Sequence, residues 1–290
     1  MSNGDMKFNP QRVSYHVNDG VQLVGDAWGA SDAAPVLLLH GGGQTRHAWG
    51  GTARALAEQG WYAVALDLRG HGDSGWSPDG NYQIDVFVAD LHRVLPHFTQ
   101  RPVLVGASLG GMTALLTAGE APQPVSTAVV LVDITPRVEQ KGVDRIRAFM
   151  TARPEGFASL EEVADTVAEY IPHRPRPQDL SGLQKNLRLR SDGRYHWHWD
   201  PHLLSPERYA RQRDPERLLA AARSLRVPTM LVRGGISDVV SEETTEEFLA
   251  AVPHATYVDV AGAGHMVAGD RNDAFSRAVI EFLTEVKPLL

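Results

Sequence analysis

The chain contains no cysteine, which removes disulfides, thiol nucleophiles and thiolate metal sites while saying nothing about compartment. It also lacks any apolar run of about eighteen residues, the least that a membrane-crossing helix requires. Met1 to Phe8 has no apolar core of the kind a secretory signal carries. The expectation is therefore a soluble, cytoplasmic protein without a membrane partner. Basic residues are in deficit: 28 Lys and Arg against 35 Asp and Glu give a formal net charge of -7. A nucleic-acid partner is not expected, because its binding surface would be basic. At 290 residues, 43% hydrophobic and 22% charged, the chain can build one large α/β core or two smaller ones. A homo-oligomer is compatible with the sequence, which does not decide it.

What the chain does have is one organising stretch, Val103-Leu104-Val105-Gly106-Ala107-Ser108-Leu109-Gly110-Gly111-Met112. An apolar run enters G-x-S-x-G, and a helix-compatible segment, Thr113 to Ala118, follows. This is the strand, turn and helix context of a nucleophile elbow, in which the residues two before and two after the serine must be small. Gly106 and Gly110 meet that demand.

Around it the chain alternates. Val13 to His16 and Val21 to Trp28 read as two strands joined by the turn signal Asn18-Asp19-Gly20. Pro35 to Leu39, Trp61 to Leu66 and Pro102 to Val105 are short continuous apolar runs, as expected of strands covered on both faces. Helices are expected over Trp49–Gln59, Ile84–Leu95 and the segment after Ser108, with a further strand within Val125–Ile134. The alternation then breaks. Residues 136–216 are polar and basic, with helices expected near Val143–Thr151, Leu160–Ile171 and Leu180–Leu189. It resumes with a strand at Val227–Val232, a helix at Ser241–Ala251, a strand at Tyr257–Val260 and a helix at Asp270–Val286. Right-handed crossovers turn such units into one parallel sheet wrapped by helices. The expected organisation is a core of 1–135 and 217–290 with 136–216 inserted as a helical cap over the sheet's carboxyl edge.

A serine hydroxyl needs a base, an orienter for that base, and donors for the developing oxyanion. Among the 12 histidines, His265 is best placed, since it follows the last strand in a glycine-rich loop at the carboxyl edge. The orienting carboxylate is expected from an earlier loop on that edge. Asp238, in Gly234-Gly235-Ile236-Ser237-Asp238, is the candidate, and Asp133 at the end of the preceding strand is its competitor. The oxyanion donors are expected to be the backbone N–H of Leu109 and, from the loop His40-Gly41-Gly42-Gly43-Gln44, that of Gly42, with Gly43 next. His40 is read as holding this loop rather than moving a proton.

With those residues in hand, the chain resembles the lid-bearing α/β-hydrolases. The matching stretches are His40-Gly41 with Trp49, Asp67 to Ser74, Gly106 to Gly111, Gly235 to Asp238 and Gly262 to His265. They span nearly the whole chain in the family's order. The resemblance implies an α/β-hydrolase fold, with a mostly parallel eight-stranded sheet flanked by helices and a helical cap after the sixth strand. It also implies the triad Ser108–Asp238–His265 and no cofactor or metal. In such relatives the Asp67–Ser74 loop is mainly architectural, so Arg69, His71 and Asp73 are read as structural, with pocket lining by one of them as the competing reading. The family includes epoxide hydrolases and dehalogenases, which open an alkyl carbon with an aspartate. A serine in that role would leave an inert ether, so Ser108 points to acyl chemistry on a small-molecule substrate. An ester or lactone hydrolase is the leading reading. A carbon–carbon bond hydrolase, a cofactor-free haloperoxidase and a non-catalytic small-molecule receptor are the alternatives.

One cluster points elsewhere. His196-Trp197-His198-Trp199-Asp200-Pro201-His202 is similar to the di-metal motif of metallo-β-lactamase-like hydrolases, but Pro201 breaks its spacing and it sits late in the chain. The alternative is an extended cap segment whose Trp197 and Trp199 pack over the pocket. Gly43, Phe149 and Met266 are the other expected pocket-lining residues. Arg188, Arg190 and Arg194 are read as a solvated basic face, with an anionic substrate as the competing reading.

Overall fold

The structure is a computed structural model and describes residues 9–172, 176, 178–205, 214–265 and 272–287. Eight strands form the main sheet: β1 (Gln11–His16), β2 (Gln22–Trp28), β3 (Pro35–Leu39), β4 (Tyr62–Leu66), β5 (Val103–Ala107), β6 (Ala128–Val132), β9 (Thr229–Gly234) and β10 (Thr256–Val260). Their spatial order is β1-β2-β4-β3-β5-β6-β9-β10. β2 runs antiparallel to both its neighbours and the remaining pairs are parallel. Between β1 and β2 the chain turns through Asp19 and Gly20, both at positive φ.

Side chains of a strand alternate between faces, and here both faces are covered. Leu37, Leu39, Leu104, Val129 and Leu131 pack on one side against α2 (Ile84–Val94), α3 (Leu109–Gly119), α6 (Pro215–Ser224) and α7 (Glu242–Ala251). Val36, Leu38, Val103, Val105 and Val130 pack on the other against α1 (Gly50–Glu58) and α8 (Asn272–Val286), through Leu56, Phe275 and Val279 among others. This two-sided burial is why these strands read as unbroken apolar runs.

The segment between β6 and α6 contains α4 (Gln140–Thr151) and α5 (Leu160–Tyr170), the latter capped by Ser159 accepting from Glu162 N–H. The third expected cap helix is not there. Residues Ser181–Asn186 form a 3₁₀ turn, and Leu187–Leu189 (β7) pairs antiparallel with Tyr195–Trp197 (β8). Gly193, at φ 76°, makes the connecting turn. Hairpin pairing with the strand just beyond the turn overrode the local helical spacing of Leu180, Leu183 and Leu187. The helix α6 was not anticipated, although Asp214 caps it and Pro215 starts it, a recognised opening signal. The inserted segment is anchored to the core by Tyr82 Oη donating to Asp200 (2.6 Å) and by Asp200 N–H donating to the Gly70 carbonyl (2.9 Å).

The elbow between β5 and α3 leaves no room for side chains at its two small positions. A Cβ on Gly106 would collide with the Gly110 carbonyl, and a Cβ on Gly110 with the Leu39 carbonyl. Both obstacles are backbone, one in the first turn of α3 and one at the end of β3. Gly110→Ala is accordingly expected to cost about 3 kcal/mol or more, seen as a drop of roughly 6–12 °C in the thermal midpoint. A midpoint within about 2 °C of the parent would show the elbow to be slack.

Candidate active site

Ser108 caps α3 at φ 46°, ψ -111°, a region that L-residues rarely occupy and that persists only when the surroundings enforce it. The enforcement is visible: Ser108 N–H donates to the Val132 carbonyl (3.2 Å) and Gly110 N–H to the His40 carbonyl (3.2 Å). The serine therefore stands above the carboxyl edge, between the ends of β3 and β6. It lines a cavity of about 110 Å³ together with His265, Gly41, Gly42, Gly43, Leu109 and His71. One water needs about 10–15 Å³ on the same measure, so the space suits a small organic group.

His265, mostly buried, points Nδ1 at a carboxylate oxygen 2.7 Å away. An ionised carboxylate only accepts, so Nδ1 carries the hydrogen and Nε2 presents the lone pair. The carboxylate belongs to Asp133, and the expected pairing of His265 with Asp238 is corrected. Asp133 is fully buried, at φ 48°, just past the end of β6. Its Oδ1 accepts from Gly234 N–H (2.8 Å) and its Oδ2 also accepts from Ser237 Oγ (2.6 Å). Asp238 lies on the other side of the same turn. Ser237 folds that turn inward, its N–H donating to the Gly234 carbonyl (2.8 Å) and its Oγ accepting from Val239 and Val240 N–H. The Asp238 carboxylate is left outside, 36% exposed, paired with Arg145 of α4 at 2.9 Å. Ser237 is the contact that sequence reasoning missed, though its place beside Asp238 in the loop after β9 was a readable signal.

The loop after β3 carries the expected oxyanion donors. Gly41 N–H donates to Gln44 Oε1 (3.0 Å), Gly43 N–H to His71 Nε2 (3.1 Å) and Gln44 N–H to the Gly41 carbonyl (3.1 Å). The amides of Gly42 and Leu109 have no partner among the described residues. Gly42 also faces open space, whereas a Cβ on Gly43 would press on Met150 and Trp199. These are the two amides singled out from the sequence, and the engagement of Gly43 with His71 separates it from Gly42.

Three buried imidazoles surround this loop. His40 Nδ1–H donates to the Gly41 carbonyl (2.8 Å) while Nε2 accepts from Leu68 N–H (2.9 Å). His71 Nδ1–H donates to the Arg69 carbonyl (3.0 Å). His198 Nδ1 accepts from Gly72 N–H (2.7 Å), and its Nε2–H donates to the Gly43 carbonyl (3.3 Å). Burial pushes His40 down to about 4 and His71, with His40 beside it, down to about 3. Burial first, then His71 and His40, hold His198 well below the usual histidine range. All three are neutral at physiological pH.

Both ring nitrogens of His198 are taken by backbone groups, Gly72 N–H and the Gly43 carbonyl. In the rest of the motif His196 bonds to Asp192 (2.9 Å), and Asp200 to Tyr82 and His202. No grouping of three or more metal-ligating side chains occurs among the described residues. Phe149 and Gly43 line the cavity, as do Met112, Ile146, Met150, Leu203 and Leu204. Trp199 and Trp197 stand behind that wall, stacked at 4.9 Å, with Trp197 against Phe149. Met266 lies outside the described residues. Arg188 binds the Gly72 carbonyl and Asp73, and Arg194 binds the carbonyls of Glu155 and Gly156; neither Arg188, Arg190 nor Arg194 lines the cavity. His71, read from sequence as structural, does line it.

Comparisons with known proteins agree with this architecture. The alpha/beta hydrolase fold family matches residues 34–271. An esterase of Mycobacterium tuberculosis is 34% identical over 271 residues, covering 89% of this chain and 84% of the relative. The sn-1-specific diacylglycerol lipase of Mus musculus is 30% identical, covering 97% and 87%. A solved E-2-(acetamidomethylene)succinate hydrolase superposes with a TM-score of 0.84 at 22% identity, covering 95% of this chain and 99% of that one, a likeness of fold.

Two outcomes follow from this geometry. A deshielded His265 Nδ1–H proton resonance should be present in the parent, vanish in Asp133→Asn and persist in Asp238→Asn; the reverse pattern would reinstate Asp238. Unfolded histidine titrates near 6.5, above the folded values, so the unfolded chain takes up a proton at each of these three positions that the fold does not. Stability is therefore expected to fall as pH drops from about 6.5 toward 4, and urea midpoints across that window measure it. A flat profile would mean that the imidazoles are not held neutral.

Proposed function

The chain belongs to the α/β-hydrolase fold family, a hydrolase with esterase and lipase relatives, and on that premise we propose that it is a serine esterase working through an acyl-enzyme on small, uncharged, apolar acyl groups. Ser108 Oγ attacks the acyl carbon while His265 Nε2 takes its proton. Asp133, holding Nδ1–H, keeps the imidazole in the tautomer that exposes Nε2 and stabilises the imidazolium that forms. The amides of Leu109 and Gly42 receive the developing oxyanion. His265 returns the proton to the leaving alcohol, and water then repeats the sequence to release the acid.

One observation carries the reading: a serine strained at an elbow shares a cavity with a histidine whose far nitrogen is bound to a buried carboxylate. A serine elbow of this kind has no evident structural purpose, because its backbone strain is unfavourable for folding. The acyl preference rests on the wall. Met112, Ile146, Phe149, Met150, Leu203 and Leu204 line the cavity, and no Lys, Arg, Asp or Glu is among its lining residues within the described part of the chain. A carboxylate on the acyl chain would be buried there without a partner, an arrangement that costs several kcal/mol. Nothing in the cavity singles out the carbon–carbon or peroxide chemistry that the same groups could perform.

A short-chain p-nitrophenyl ester should give a burst of p-nitrophenol, and a fluorophosphonate should label Ser108 stoichiometrically; both are lost in Ser108→Ala. Asp133→Asn is expected to lower kcat by about 10³–10⁴-fold and Asp238→Asn by less than about threefold, since exposed ion pairs contribute little. The butyrate ester should exceed the hemisuccinate ester in kcat/KM by at least about 100-fold, equivalent to about 2.7 kcal/mol. Labelling at another residue, or tight ligand binding with no turnover over hours, would overturn the reading in favour of a different site or a receptor.

A further inference from the structure

The oxyanion loop is gripped from two directions at one residue. Gly43 N–H donates to His71 Nε2, from the loop after β4, and the Gly43 carbonyl accepts from His198 Nε2–H, from the inserted segment just past β8. Next to it, the Gly41 carbonyl is held by His40 and by Gln44 N–H. Peptide planes are rigid and trans, so fixing one polar group fixes the direction of the other. Holding the Gly41 carbonyl sets the plane that carries Gly42 N–H. Holding Gly43 N–H sets the following plane. Gly42 lies between them, and as a glycine it has no side chain to restrict its own rotation. Its direction is therefore supplied by the neighbours.

We infer that His71 and the inserted segment's His198 are positioning residues that clamp Gly43 and so fix the plane after Gly42, which, together with the Gly41 carbonyl held by His40 and Gln44, keeps the Gly42 N–H aimed at the oxyanion formed on the substrate of Ser108. The inference rests on the functional reading above and deepens it. It gives the His196–His202 stretch a task other than metal binding, and it makes the seating of the inserted segment part of the catalytic geometry. A donor that is misaimed in the free protein is a loss in the transition state and not in substrate binding, so the effect belongs to kcat.

The bland reading is that His71 only braces its own turn, through Nδ1–H to the Arg69 carbonyl. The two readings use opposite ends of the ring. Glutamine at position 71 places an acceptor oxygen near the Nε2 position and loses the Nδ1 donor. Asparagine keeps a donor near Nδ1 and cannot reach Gly43. If His71 positions the loop, His71→Gln should retain kcat within about threefold, while His71→Asn should lose about 10–100-fold with KM within about threefold, a share of the 10²–10³ lost when an oxyanion donor is removed outright. A trifluoromethyl ketone, which forms a tetrahedral adduct, should weaken in parallel with kcat, whereas the product acid should bind the variants equally. The opposite order, Asn tolerated and Gln not, or equal kcat in both, overturns the inference.

His198→Asn is the independent arm should position 71 tolerate no change. It keeps an acceptor for Gly72 N–H and drops the bond to the Gly43 carbonyl, so kcat should fall about 3–30-fold at unchanged KM. An unchanged kcat there counts against the clamp. Overnight fluorophosphonate labelling of the parent reports the nucleophile separately. Failure to label Ser108 defeats the functional reading, whereas full labelling with unaltered kcat in His71→Asn or His198→Asn defeats the clamp alone.

Discussion

The structure depends on one close approach, that of the α3 N-terminus to the backbone of β3. Gly110 comes so near the Leu39 carbonyl that no Cβ fits between them, and its N–H reaches the His40 carbonyl across the same gap. This contact pushes Ser108 into its strained conformation and lifts it clear of the strand ends. It also ties the serine to the loop that begins at His40. Ser108 and the loop after β3 are thus set against each other by backbone, not by side chains that could change rotamer. The apolar strands on either side supply the rigidity that such strain requires.

A second positive-φ residue, Asp133, sits at the end of the neighbouring strand, in register one step beyond Val132, which pairs with Ala107. Two strained positions on adjacent parallel strands bring hydroxyl and carboxylate to the same edge, and His265 arrives over them from the loop after β10. The rest of the site is assembled from groups without net charge: three neutral imidazoles, backbone amides and a methionine-rich wall. Asp133 is the buried anion of that assembly, with Gly234, Ser237 and His265 sharing its oxygens.

Much of this was legible in the amino-acid order. The elbow, the eight strands of the main sheet and the place of His265 at the carboxyl edge are local signals: glycine spacing, short apolar runs, a glycine-rich loop after the last strand. The positions of Gly42 and Leu109 beside Ser108 were legible for the same reason. The carboxylate that pairs with His265 was not. Asp238 and Asp133 both stand after a strand, between Ser108 and His265 in the chain, and nothing local says which side chain turns inward. Ser237 decides it by folding the turn, and Arg145, 93 residues away in sequence, draws Asp238 outward. The missing third helix has a different cause: Leu180, Leu183 and Leu187 have helical spacing, but Leu187–Leu189 folds back on Tyr195–Trp197 through a turn at Gly193 whose signal the apolar spacing outweighed. The contact of His71 with Gly43 was not legible, because its loop's composition shows turns and ion pairs, while the proximity is created by the sheet.

The two indoles behind the cavity wall bring a property of a different kind. Trp197 and Trp199 lie nearly parallel in a stack, at an interplanar angle of 12°, with Phe149 and His198 packed against them at steeper angles. Two strongly absorbing rings so close share their electronic excitation, and the coupling weakens as the rings part. Trp199 also reaches the space beside Gly43, so the pair stands next to the cavity that Ser108 lines. Near-ultraviolet circular dichroism can therefore follow the local geometry of this stretch without any label.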